Sequence, residues 1–341
     1  MTTVIIITLG LRALAGASAR LIAIALACWA GGYALAGDSG TNPAAALRAK
    51  YDILQDQLRR NQFQRPLHLI SAETPGMVKG DIHALIAYPF ATAGAALNGP
   101  ARWCDILMLH LNTKYCRAAT DSHGSVLQVN IGSKHDQPLN RSYRVDFAYR
   151  VTAATADYLN VLLTADEGPL STRDYRIVLE AVEVGNGATF IHLTYSYAYG
   201  VAGRVALQAY LATVGRGKVG FTVVGTQSDG RLLHIGGMRG MVERNTMRYY
   251  LAIEAFLGAL SAPPQARLET SLRQWFAAIE RYPRQLHEIE EAEYLEMKRK
   301  EYSRLRAGTP TAKPELRRDS AKSPPPSSRA RQESFDIAGD K

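Results

Sequence analysis

A chain of 341 residues with 47% apolar and 21% charged residues can form one large domain or two ordinary ones, and is too apolar to be disordered throughout. The formal charge of +9 is spread along the chain with no recognised nucleic-acid module, so no nucleic-acid partner is expected.

The first element is a targeting segment. Arg12 and Arg20 precede an apolar run from Leu21 to Tyr33, and Ala34-Leu35-Ala36 puts small residues at the two positions a signal peptidase reads. Residues 1–36 therefore read as a signal peptide or membrane anchor. Residues 21–36 are fewer than the about 20 apolar residues of a spanning helix, which favours cleavage near Gly37 over retention. The expected location is periplasmic or exported, with anchoring through this segment as the alternative. Cys28 reads as a filler of the apolar run.

Residues 37–77 read as an N-terminal helix and a lead-in strand. Asn42 can cap a helix running to Arg60, Pro43 suits its first turn, and Ala46, Leu47, Tyr51, Leu54 and Leu58 recur at helical spacing. Leu67 to Ala72 is a short strand, ended by the turn signal Pro75-Gly76.

Asp81 to Tyr88 alternates as a strand. Two helices follow, one begun by Pro89 and one after Gly99-Pro100. The pattern then turns to β. Lys114–Ala119, Ser125–Gly132, Tyr143–Thr152, Asp157–Ala165, Tyr175–Val184 and Ala188–Tyr199 are strands separated by short polar turns, which indicates an antiparallel meander. Asn186-Gly187 is its clearest hairpin turn, since both residues tolerate positive φ. Val201–Thr213 returns to helical spacing, and Phe221–Gly225 with Leu232–Ile235 suggests a terminal hairpin. A long helix runs from Met238 to Leu260, with Met238, Val242, Tyr249, Ile253, Phe256 and Leu260 as an apolar stripe. Residues 261–306 add helices at Gln265–Arg281 and Arg284–Arg306. The second is polar nearly all round, acidic early and basic late, as a solvated helix would be. Residues 307–341, rich in Pro, Ser, Lys and Arg, read as a disordered tail.

Strand, two short helices, six-strand meander and long helix, over about residues 78–260, resemble the START-like (SRPBCC, helix-grip) superfamily. Residues 89–112 look like its two-helix insertion and residues 239–260 like its gripping helix. The resemblance implies an α+β fold in which a curved antiparallel β-sheet grips a long C-terminal helix around a hydrophobic cavity, here with extra flanking helices. Members bind lipids, sterols, polyketides and other apolar molecules, and a few are enzymes. No catalytic residue is shared across the superfamily, so none is assigned. The extra helix and hairpin at 201–235 depart from the pattern, because they interrupt the step from last strand to last helix.

If such a cavity exists, its walls can be named. Tyr195, Tyr197 and Tyr199 share one strand face with Ile191 and Leu193, and Tyr143, Phe147 and Tyr149 form a similar row. On the long helix, Arg244 and Arg248 lie four residues apart and can hold a carboxylate or phosphate, while Glu243 can pair with Arg239. The candidate ligand-binding set is Tyr143, Phe147, Tyr149, Tyr195, Tyr197, Arg244, Arg248, Tyr249 and Ile253. Cys104 and Cys116 are a disulfide candidate in an oxidising compartment, the alternative being two buried thiols. The histidines show no metal-binding spacing, so no metal or other cofactor is expected. His192 and Asp146 offer an acid–base pair, and a cavity in which His192, Asp146 or Glu180 converges would favour an enzyme. The leading expectation is a non-catalytic binding or carrier protein for an apolar or amphipathic small molecule, with membrane-surface contact as a further partner. The alternatives are an enzyme on the same scaffold acting on a hydrophobic substrate, and an envelope interaction module.

Overall fold

The computed structural model describes residues 42–213 and 215–306. The targeting segment with Cys28 and the tail from 307 onward lie outside the described residues. The helix expected over 42–60 is two, α1 (Pro43–Ile53) and α2 (Gln55–Arg59), because Leu54 departs from helical ψ.

Strands β1 (Leu67–Thr74) and β2 (Met77–Ile86) form a hairpin whose turn has Gly76 at φ +85°. Helices α3 (Phe90–Leu97) and α4 (Pro100–Leu109) follow. Then come β3 (Thr113–Asp121), β4 (Gly124–Ile131), β5 (Tyr143–Ala154), β6 (Tyr158–Glu167), β7 (Thr172–Glu183) and β8 (Thr189–Tyr199). The β7–β8 turn has Asn186 at φ 54° and Gly187 at φ 67°, as its sequence requires. The eight strands make one antiparallel sheet in the order β1-β2-β8-β7-β6-β5-β4-β3. Register shifts at Thr113/Tyr115, Val151/Ala153 and Arg173/Arg176 add local bend and twist.

After β8 come α5 (Val201–Ala212), a separate hairpin of β9 (Val223–Thr226) and β10 (Leu232–His234), and α6 (Gly237–Ala259). At 23 residues α6 is about 34 Å long. It lies against β1, β2 and β8 on one side and α4 and α7 (Arg267–Ile279) on the other, so it is buried around most of its circumference. The architecture is the expected one: an α+β fold in which an antiparallel sheet grips a long helix near the C-terminal end. Alternation divides the sheet's faces. Ile191, Leu193, Tyr195 and Tyr197 of β8 belong to the main core with α6, whereas Phe190 packs with Tyr158 and Val182 under Ala44, Leu47, Leu54 and Leu58 of the N-terminal helices. Central β8 is thus covered on both faces.

The helix expected over 284–306 is broken into α8 (Pro283–Leu286) and α9 (Glu291–Arg306), and α9 is not a solvated helix. Tyr294, Leu295 and Met297 are buried, and so are Lys298 and Glu301. The reason is the end of α4 and the turn into β3, whose carbonyls take side-chain donors. The Lys298 ammonium donates to the carbonyls of His110 (2.7 Å) and Thr113 (2.8 Å), and Lys114 donates to that of Leu111 (2.9 Å). Glu301 lies between the two ammonium groups, 3.1 Å from Lys114 and 2.8 Å from Lys298. The Tyr294 hydroxyl donates to the Leu109 carbonyl at 2.8 Å. Burial pulls the Lys298 ammonium down to about 8, with the Lys114 charge adding to that and Glu301 opposing it. Cys104 of α4 and Cys116 of β3 are joined by a disulfide, with their Cα atoms 5.2 Å apart, so the same connection is also clamped covalently. No described helix is long and apolar enough to cross a membrane.

The buried Lys114–Glu301–Lys298 group makes a contrast measurable. Glu301→Gln should cost about 3–5 kcal/mol, since it strands two buried ammonium groups. Glu269→Gln, which opens the half-exposed pairs to Arg273 and Arg299, should cost about 1 kcal/mol or less. Urea midpoints at constant m-value measure both. Equal losses would contradict the assignment of Glu301 as the counter-charge.

Candidate functional site

The sheet and α6 leave a cavity of about 430 Å³ between them, within the size range of small-molecule sites. Its strand walls are Tyr143 and Phe147 of β5, Thr172 and Tyr175 of β7, and Tyr195 and Tyr197 of β8. Met241, Arg244, Asn245, Arg248 and Tyr249 of α6 form the facing wall. Tyr143, Leu170 and Arg141 are exposed and mark the mouth, whereas His110, Tyr195, Arg244 and Arg248 are buried and mark the inner end.

The expected set divides on this geometry. Tyr143, Phe147, Tyr195 and Tyr197 come together from the sheet, and Arg244, Arg248 and Tyr249 from the helix. Tyr149 and Ile253 are corrections, since neither lines the cavity. Tyr149 sits beyond Phe147, paired with Ser125 and Leu163 in the buried sheet. Ile253 is one helical turn past Tyr249, about 6 Å along the axis, and is fully enclosed in the core. The extra segment at 201–235 does not break the enclosure: α5 contributes Leu207 and Tyr210 to the wall. Gly203 allows this contact, because a Cβ there would stand 2.7 Å from the Ser171 carbonyl oxygen.

The aromatic wall is continuous. Tyr175 stacks on Tyr197 with centroids 5.3 Å apart and meets Phe147 edge-on at 6.3 Å, and Tyr195 meets Tyr249 at 5.2 Å. Burial pushes the Tyr175 hydroxyl up to about 12 and those of Tyr195, Tyr197 and Tyr249 further, so all stay protonated near neutral pH. Among the described residues the Tyr197 hydroxyl has no hydrogen-bond partner.

The inner end is cationic. Arg248 is fixed by Glu288 (2.8 Å), the Leu286 carbonyl (3.3 Å) and Asn245 (3.4 Å). Glu288 also takes Lys134 at 2.5 Å and Lys218 at 3.5 Å. Arg244 is 4% exposed, forms no hydrogen bond or ion pair with any described residue, and its Nη1 is buried and unpaired. Burial, reinforced by the Arg248 charge, lowers the Arg244 guanidinium to about 10, which leaves it charged at neutral pH. His110 accepts the Asn112 N–H at Nδ1 (3.2 Å), so its proton sits on Nε2, which is buried without an acceptor. Burial, then Arg248 and Lys298, hold this imidazole well below its usual range and hence neutral.

Sequence reasoning missed His110, Lys134, Tyr175 and Glu288 as wall residues. Tyr175 was legible, because it continues the alternation of Ile177 and Leu179. Lys134 and Glu288 lie in connections between elements, where periodicity carries no signal. The expected pairing of Arg239 with Glu243 is also corrected. Glu243 accepts from Ser71 Oγ, Thr222 Oγ1 and the N–H groups of Phe221 and Thr222, while Arg239 donates to the Ser71 hydroxyl and carbonyl.

His192 does not meet Asp146, which is three strands away in the sheet and pairs with Arg144. Its ring is bracketed instead by Asp81 on β2 (2.9 Å) and Glu180 on β7 (2.9 Å), the cross-strand neighbours on either side being His83 and Glu180. The His83 ring stacks on it at 4.1 Å and is lowered to about 3 by burial and the His192 charge. This group lies on the sheet face opposite Tyr195 and Tyr197. Among the described residues no His/Cys/Asp/Glu cluster is placed to hold a metal ion.

No family model matches the chain, and no curated protein matches it. Among solved structures, a conserved protein from Geobacillus kaustophilus is similar at 12% identity and a TM-score of 0.32, over 53% of this chain and 95% of that one. Human StAR-related lipid transfer protein 5 is similar at 9% identity and 0.27, over 46% and 82%. A norcoclaurine synthase point mutant from Thalictrum flavum is similar at 11% identity and 0.29, over 44% and 87%.

The histidine between two carboxylates sets a pH dependence. Burial alone would lower His192, but hydrogen bonds and charge from Asp81 and Glu180 outweigh it and raise the ring above its ordinary 6.5. A raised folded value contributes stability fully below pH 6.5 and loses it as pH rises through the folded value. Asp81, lowered to about 2, and Glu180, also lowered, add stability that is lost only in acid. The stability difference between wild type and His192→Gln should therefore be largest near pH 5–6.5 and shrink above it, as read by denaturant midpoints across pH. A difference that grows with alkalinity would show that the ring is neutral in the fold.

Proposed function

We propose that this protein binds an apolar or amphipathic small molecule in the cavity between β5, β7, β8 and α6, as a binding or carrier protein that performs no chemistry on it. The observation that carries this reading is the tyrosine-lined cavity itself, with a buried inner end and an exposed mouth. Burial of ligand surface supplies about 25 cal/mol per Å² before ordering costs. The acid–base alternative has less support, because His192, Asp81 and Glu180 converge on the other face of the sheet.

We place this activity outside the cytoplasm, in the periplasm or at the membrane face. The order of Arg20, the apolar run and Ala34-Leu35-Ala36 supports export, and so does the Cys104–Cys116 disulfide, which suits an oxidising compartment. N-terminal sequencing of protein from its source should begin near Gly37; recovery of Met1 on a cytoplasmic protein would end this placement.

The neutral fluorophore N-phenyl-1-naphthylamine tests the cavity without involving its charges. It should bind the wild type. Tyr197→Trp, which adds volume at the wall, should abolish binding with little change in thermal midpoint. Ile253→Phe, in closed core, should cost about 1–3 kcal/mol through overpacking while leaving the folded protein able to bind. No binding by the wild type would mean that the interior takes no apolar ligand.

A further inference from the structure

We propose that the inner end of the cavity binds the oxyanion of an amphipathic ligand, a carboxylate or a phosphate monoester, and that Arg244 is the residue that holds it. This rests on the ligand-binding reading above and names the chemical class of that ligand.

The argument is one of unmatched donors. Glu288 is the carboxylate of the cavity wall, and both its oxygens are taken, Oε1 by Arg248 at 2.8 Å and Oε2 by Lys134 at 2.5 Å and Lys218 at 3.5 Å. Arg244 stands one helical turn before Arg248, 4% exposed, with Nη1 unpaired. Glu288 acts on Arg244 only through longer-range charge, with no ion pair or hydrogen bond to it; a buried charge so weakly matched is unfavourable, and a guanidinium fork matches the two oxygens of a carboxylate or phosphate. The Tyr197 hydroxyl and the His110 Nε2–H are further buried wall groups without partners, and each can donate. A hydrocarbon or sterol ring would satisfy none of these groups. Phe147 and Tyr175, along the wall toward the exposed Tyr143 and Leu170, offer apolar surface for the remainder of the molecule.

Arg244 also differs from a structural arginine in what its removal should do. Other buried charges here are held by partners, so cutting them strands a neighbour. Cutting Arg244 strands nothing and removes a buried charge, so the ligand-free protein should keep or raise its thermal midpoint as it loses its anionic ligand.

The test is calorimetric titration of the full chain with decanoate, decyl phosphate, decanol and inorganic phosphate, in the wild type, Arg244→Met and Arg244→Lys. The expected result is that decanoate or decyl phosphate binds the wild type at least about tenfold more tightly than decanol. Arg244→Met should erase that preference by weakening the anions at least about tenfold more than decanol, with the ligand-free midpoint no lower. Arg244→Lys should keep part of the preference, which preserves the test if the methionine variant folds poorly. Equal affinity for decanol and the anions, indifferent to Arg244, would overturn this proposal and leave the apolar-cavity reading standing. Inorganic phosphate binding as tightly as decyl phosphate would overturn the amphipathic ligand in favour of a free anion. Failure of all four to bind would overturn both readings.

Discussion

The close contact of α6 with β2 is the constraint on which the rest of the molecule depends. Gly80 has no side chain, and a Cβ there would stand 2.3 Å from Thr246 Oγ1. The helix can therefore lie hard against the β2 side of the sheet. Thr246 turns its hydroxyl back to the Val242 carbonyl at 2.8 Å, so the contact leaves no polar group unsatisfied. A helix with side chains is about 10–12 Å across and cannot fill the trough of an eight-stranded sheet from one side. The space left over lies toward β5 and β7, and there the tyrosines stand. Cavity and grip are two results of one off-centre packing.

Buried charge then separates structure from site. Glu243, fully buried on α6, accepts from two hydroxyls and two backbone N–H groups, which ties β1 and the segment before β9 to the helix. Lys114, Glu301 and Lys298 form a group that closes over the end of α4, and its ammonium groups find carbonyls as well as a carboxylate. Each of these networks fixes an element. Arg65 and Glu254 do the same between the α2–β1 connection and α6. Arg244 fixes none, although its burial is comparable. That inequality, rather than the number of charges, marks the inner end of the cavity as different from the surrounding core.

Much of the fold was legible because its meander obeys local rules. The six strands from Thr113 to Tyr199 alternate, the β3–β4 turn places Gly124 at positive φ, and the Asn186-Gly187 turn takes the conformation its residues favour. The wall tyrosines of β8 and the arginines of α6 followed from period-2 and period-4 spacing. What was not legible depended on where an element ends in space. Periodicity places Tyr149 and Ile253 on faces related to those of Phe147 and Tyr249, but cannot say how far along strand or helix the cavity extends. The helix α9 looked solvated because Lys298 and Glu301 are charged; only the carbonyls of His110 and Thr113 just past α4 and the nearby Lys114 make their burial sensible. Glu288 was assigned to an acidic helix start, whereas it lies in the break between α8 and α9 and points its carboxylate at three cations.

The segments added between β8 and α6, and the α8–α9 break, converge on one end of the sheet-and-helix core. The hairpin of β9 and β10 follows the segment whose backbone holds Glu243. The helix α5 supplies Leu207 and Tyr210 to the cavity wall, and the α8–α9 break supplies Glu288. Arg248 is the joint between these parts, since its guanidinium reaches the Leu286 carbonyl and Glu288 while its own carbonyl accepts from the Trp275 indole at 3.2 Å. An insertion between last strand and gripping helix would, in a simpler arrangement, leave the trough open at that end. Here the C-terminal helices return to the same place and close it with charge, so the segments that depart from the core pattern are the ones that give the cavity its polarity.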